Sequence, residues 1–152
     1  MIIAKCSFVS GDNSKLSAHQ SNLYPSPYSA YSVSAAVDAY IGYGVPAGKI
    51  FIGIPLYSRG FVGTNGLGAP ATGPSPDSTL EPGSVDYKSL PVSGAVEKWD
   101  DVAKAGYSYD ATRKVMNSYD VPKAAKAKCD YVVQKGLGGV FVWESISVNV
   151  LP

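Results

Sequence analysis

At 152 residues, 45% of them hydrophobic and 16% charged, the chain suits one folded domain burying roughly 70% of its unfolded surface. Thirteen Lys and Arg against twelve Asp and Glu leave a net charge of +1, which, without basic runs, argues against an electrostatic nucleic-acid or membrane-surface binder. No apolar run approaches the ~20 residues needed to span a bilayer, and Met1-Ile2-Ile3-Ala4-Lys5, with its charge after the apolar residues, does not read as a secretory signal.

Residues 2–9 read as a short strand with imperfect alternation, and 10–31, rich in Ser, Pro and Asn, as a long loop. A helix follows with Ser32 as its N-cap. Val33, Ala36, Val37, Tyr40 and Ile41 form one apolar stripe, and Gly42, Gly44 and Pro46 stop it. Ile50 to Tyr57 is a continuous apolar run, which suits a strand buried on both faces of a parallel sheet. Residues 63–84 are rich in Gly and Pro, and a loop of about 20 residues in a compact domain is usually functional or mobile. Strand-like pieces come next at Ala95–Trp99, Gly106–Tyr109 and Lys114–Ser118. Asp110-Ala111-Thr112-Arg113 fits a hairpin turn between the last two. A second helix runs from Pro122 to about Lys135, ended by Gly136 and Gly138, and the last strand is Gly139–Glu144. The pattern gives three parts: strand–helix–strand over 1–59, a small α+β insertion over 60–118, and helix–strand over 119–152.

Two cysteines, Cys6 and Cys129, make no disulfide framework, and the single histidine, His19, makes no histidine-based metal site. A serine or cysteine triad would have to draw its base from His19 alone. Cys129 falls in a helical pattern whose apolar side also takes Ala125, Val132 and Val133, and it reads as a buried free thiol. No cofactor is implied.

Three stretches together resemble the C-terminal part of a family 18 glycoside hydrolase of the fungal chitinase type. They are His19-Gln20-Ser21-Asn22-Leu23-Tyr24, Gly53-Ile54-Pro55-Leu56-Tyr57-Ser58-Arg59 and Gly136-Leu137-Gly138-Gly139-Val140-Phe141-Val142-Trp143-Glu144. Val85-Asp86-Tyr87-Lys88 and Tyr107-Ser108-Tyr109-Asp110 resemble the insertion that this family carries after its seventh strand. The resemblance spans about residues 11–145. It implies an α/β fold of (β/α)8 TIM-barrel type, of which this length supplies only strands six to eight, two helices and the insertion. Three strands do not close a barrel, so exposed edges and self-association are expected.

The family cleaves β-1,4-linked N-acetylglucosamine polymers with a raised-pKa Glu as acid and the substrate's own acetamide as nucleophile. Its acidic motif, D-x-x-D-x-D-x-E, does not occur in the 152 residues. Asp100-Asp101 reads as a solvated surface pair. Ser7 and Phe8 stand where the resemblance implies a Tyr and an Asp, so no catalytic residue is assigned and inactivity of this chain alone is expected. The resemblance makes Trp143 the indole floor beneath a sugar ring, with a core Trp as the alternative. Tyr57 and Arg59 become substrate contacts, Arg59 donating to sugar hydroxyls or pairing with an acid of the insertion. Glu144 reads as structural. Trp99 and Tyr107 either line the cleft wall or form the core of the insertion. The partner so implied is chitin or its oligosaccharides, held weakly, and the family implies an extracellular setting. A lectin-like binder of chitin oligosaccharides and a structural interaction module are the rival readings.

Overall fold

The computed structural model describes residues 2–4, 16–28, 31–79 and 81–143. Three strands form a parallel sheet: β1 (Ile2–Ala4), β2 (Ile50–Pro55) and β8 (Gly139–Trp143), with β2 central. Ile50 and Ile52 project from β2 toward helix α1 (Val33–Gly42) and join Val33, Val37, Leu23, Tyr131 and Leu137 in one buried cluster. Each such side chain contributes ~1.5–3 kcal/mol of burial. On the other face Gly53 lies opposite Phe141 and Pro55 opposite Trp143. The Phe141 ring comes within 3.0 Å of where a Gly53 Cβ would stand, so glycine lets the ring lie on the β2 backbone.

Helix α1 starts as the sequence indicates, with the Ser32 Oγ accepting from the Ala35 N–H at 3.1 Å. Val33 and Val37 are buried, but Ile41, at the far end of the stripe, is exposed. The second helix, α2 (Pro122–Lys135), also has the expected bounds, with Gly136 in the left-handed conformation as C-cap. Its inward face differs from the predicted one. Ala124, Lys128 and Tyr131 are buried, while Cys129 is exposed and Val133 is 82% exposed. Of the predicted stripe, Val132 packs half-buried against the core and Ala125 is half-buried, while Cys129 and Val133 face out. The cause is an ion pair. The fully buried Lys128 ammonium is bonded to Asp120 and donates to Ser21 Oγ at 2.6 Å. Burial pushes the Asp120 carboxyl above its ordinary value, with Lys128 pulling against that shift.

The second sheet is antiparallel, in the order β4–β3–β7–β6–β5. Its strands are β3 (Arg59–Val62), β4 (Gly73–Pro74), β5 (Val96–Asp100), β6 (Ala105–Asp110) and β7 (Val115–Tyr119). The hairpin turn between β6 and β7 is where the sequence puts it: Asp110 Oδ1 accepts from the N–H groups of Thr112 and Arg113. Most of the Gly/Pro stretch is irregular but pinned to β3. The Gly60 N–H donates to Gly83 O, the Ser75 N–H to Gly60 O, and the Thr72 N–H to Val62 O.

Residues 17–23, part of the predicted loop, are irregular yet buried throughout. A buried strap is tolerable when its backbone groups are bonded, and this one bonds several of them, while the Gln20 amide and His19 Nδ1 are buried without a hydrogen-bond partner among the described residues. The Gln20 N–H donates to Ser118 Oγ, the Ser17 N–H to Ala69 O, and Asn22 Nδ2 to the carbonyls of Tyr24 and Tyr31. His19 Nε2 lies 3.1 Å from Asp100 Oδ2, and its ring meets Tyr107 edge-on. The expectation of a solvated acidic pair therefore fails for Asp100 but holds for exposed Asp101. Burial pushes the Asp100 carboxyl up, but hydrogen bonds from Ala103, His19 and Val102 carry it below its ordinary value.

Candidate functional site

The candidate residues gather where β2 and β8 end. Trp143 closes β8 in register with Pro55, and its carbonyl accepts from the Leu56 N–H at 2.6 Å. The indole shares a face with Phe141 and is 47% exposed. Two residues beyond Pro55, Tyr57 forms a bridge to Asp86 and is buried. The Arg59 guanidinium, at the start of β3, sits over the Tyr57 ring at 5.4 Å. Continuity of the β2–β3 chain and the β2–β8 register thus bring Trp143, Tyr57 and Arg59 to one edge, as parallel neighbours do.

Of the two roles the sequence left open for Arg59, the structure shows the pairing with an acid. Its Nη1 lies 2.6 Å from Glu81 Oε1. Asp86 is also part of this edge: its N–H donates to Thr79 Oγ1 at 2.7 Å and its carboxylate lies 3.9 Å from Lys88 Nζ. Tyr57 is buried, with Arg59 over its ring. Sequence reasoning missed Glu81 because it lies in a stretch read as loop. Pro82-Gly83 there signalled a turn, but no local pattern names the arginine it faces.

Trp99 lies elsewhere. It packs beside Tyr119, Val121 and Ala124, donates from Nε1 to Asp101 Oδ1 at 3.1 Å, and carries Lys123 Nζ at 4.4 Å from its ring centre. Tyr107 is half-buried against His19, and burial raises its phenol pKa. Ser7, Phe8, Cys6 and Glu144 lie outside the described residues.

A model of the glycosyl hydrolases family 18 matches residues 7–146. The chain belongs to this family. Endochitinase 1 of Metarhizium robertsii is 45% identical over 140 residues, covering 90% of this chain and 33% of that protein. Among solved structures, a mutant of the class V chitinase from Nicotiana tobaccum in complex with NAG4 superposes with a TM-score of 0.84 at 26% identity. That match covers 96% of this chain and 43% of that one. A family 18 N-acetylglucosaminidase from Paenibacillus barengoltzii gives 0.82 at 30% identity, over 98% of this chain and 45% of that one. The fold is therefore of the family's TIM-barrel type, with mixed helix and strand content. The chain spans about a third of the length of the curated relatives it matches.

Proposed function

We propose that this chain carries the sugar-holding half of a family 18 chitinase cleft, with Trp143 as the floor and Tyr57 and Arg59 beside it. In this reading the parallel sheet is an arc of the barrel, strands six to eight. Residues 60–118 form the inserted α+β domain, flanked by barrel pieces at 1–59 and 119–152. The observation that carries it is the half-exposed indole at the C-terminal end of a parallel strand, next to Tyr57 and Arg59, which is the end where this architecture places its sites. An indole face stacks on the C–H face of a pyranose, while hydroxyls meet nearby donors. The 152 residues hold no acid motif, so hydrolysis by this chain alone is not expected, whereas weak retention of N-acetylglucosamine oligomers is. The family resemblance favours an extracellular setting.

Half a cleft should bind no better than about millimolar, ~4 kcal/mol. Titration of the tetrasaccharide followed by NMR tests this. Chemical-shift changes at the amides of Tyr57 and Arg59 that vanish in Trp143→Ala are expected, with no release from a fluorogenic chitobioside. Turnover that follows the protein through every purification step, or an unchanged titration in Trp143→Ala, would overturn the reading. A second reading, an interaction module, is favoured by one observation: Val140 and Val142 of β8 are exposed. It predicts association without sugar binding.

A further inference from the structure

Arg59 is held by a carboxylate whose backbone is itself fixed. The Ser84 N–H donates to Glu81 O at 2.8 Å across Pro82 and Gly83, and Gly83 has φ +75. That is a type II turn with proline and glycine in their preferred places. Gly83 O in turn accepts from Gly60, the residue after Arg59, at 2.7 Å. The turn is thus tied to β3 one residue from the guanidinium it serves. Glu81 remains 58% exposed at its side chain, while that of Arg59 is 16% exposed. The arginine lies inward and the carboxylate faces out.

Charge bookkeeping around this edge closes. Glu81 offsets Arg59, and Lys88 lies 3.9 Å from Asp86. The four charges sum to zero, and of the two carboxylates Glu81 is the exposed one, with Lys88 48% exposed beside the more buried Asp86.

Resting on the sugar-binding reading above, we infer that Glu81 is the positioning residue for Arg59 and sets the charge selectivity of this edge. It holds the guanidinium over Tyr57, and it restricts the edge to uncharged sugars. An N-acetylglucosamine ring meets oriented donors without net charge. An acidic sugar is repelled by the exposed Glu81 carboxylate. Replacing that carboxylate with an isosteric amide leaves the edge with a net positive charge and a less constrained guanidinium.

The test uses NMR titrations of the whole chain with the N-acetylglucosamine tetrasaccharide and with a hyaluronan tetrasaccharide, in which N-acetylglucosamine alternates with glucuronate. Glu81→Gln should weaken the neutral sugar about threefold and strengthen the acidic one about threefold, a change of about tenfold in their ratio. In an Arg59→Ala background, Glu81→Gln should leave the neutral sugar unchanged, because its effect there runs through the guanidinium, while relief of the direct carboxylate repulsion should still strengthen the acidic one. An unchanged ratio in Glu81→Gln, or the same weakening of the neutral sugar without Arg59, would overturn the inference. A second readout needs no sugar: the Arg59 Nε–H resonance, resolved by labelling, should shift and broaden in Glu81→Gln. If it does not, the positioning role fails whatever the sugars do. If it does, but the unmutated chain binds neither oligosaccharide, it is the sugar-binding reading that fails, and the selectivity with it.

Discussion

The two sheets differ in how far each covers its own apolar surface. In the antiparallel sheet β7 is buried at every residue, flanked by β3 and β6 and reached by the strap through Ser118. Its outer strands are short or charged: β4 has two residues, and β5 exposes Glu97 and Lys98 beside an exposed Val96. The parallel sheet is covered by helices on the Ile50 and Ile52 face, yet β8 leaves Val140, Val142 and Trp143 exposed. Among the described residues, β1 and β8 each pair on one side alone. Antiparallel strands find neighbours through short turns. Parallel strands need crossovers, so their neighbours are remote in sequence. A segment of this length can therefore complete the first kind of sheet more readily than the second.

The comparison can be broken most severely at Lys128, which ties α2 to the strap. Lys128→Ala leaves Asp120 buried without its cation and should cost ~3–5 kcal/mol in urea unfolding. A loss below ~1 kcal/mol would mean that the strap is not needed to hold the sheets together. Acid should act next. Burial lowers the His19 pKa, partly offset by Asp100. Below pH 6.5 the unfolded chain takes up this proton before the folded one, so stability falls as pH falls. The loss from this group is at most about 1.4 kcal/mol at pH 5.5. His19→Asn should flatten that part of the pH–stability curve. Ser32→Ala removes one cap from α1 and should cost about 1 kcal/mol, read as a lower urea midpoint at unchanged slope. Val142→Lys should change monomer stability by no more than about 0.5 kcal/mol while lowering self-association in light scattering. Unchanged association would move the sticky surface away from β8. Hydrogen exchange should sharpen the contrast, with β8 amides exchanging well before those of β7.

What was legible in the sequence was local. Ser32, Pro122 and Gly136 mark helix ends by chemistry that acts within a turn, and β2, β5, β6, β7 and β8 fall where the sequence puts strands, whereas β3 and β4 were not foreseen. What was not legible depends on partners far along the chain. Lys128 is buried because Asp120 and Ser21 meet it, so the apolar stripe through Cys129 pointed to the wrong face. Asp100 looks like surface until His19, far along the chain, reaches it. The polar strap gave little apolar signal, since Ala18 and Leu23 are its apolar residues and the rest of it is held by hydrogen bonds. At the candidate site, Trp143, Tyr57 and Arg59 were readable from the family resemblance, but Glu81 was not.

Arg59 pairs with Ser118, next to the point where the chain returns toward α2. The antiparallel sheet therefore begins and ends on adjacent strands. Once it has formed, the long excursion between β2 and β8 contributes to their docking like a short connection, and its loop-closure entropy has already been spent on antiparallel pairing. Assembly should then be ordered, with β3 and β7 joining first and β2 accepting β8 afterwards. Insertions at the Asp110–Lys114 hairpin tip would leave the second step's rate unaffected, because that tip lies away from the paired ends.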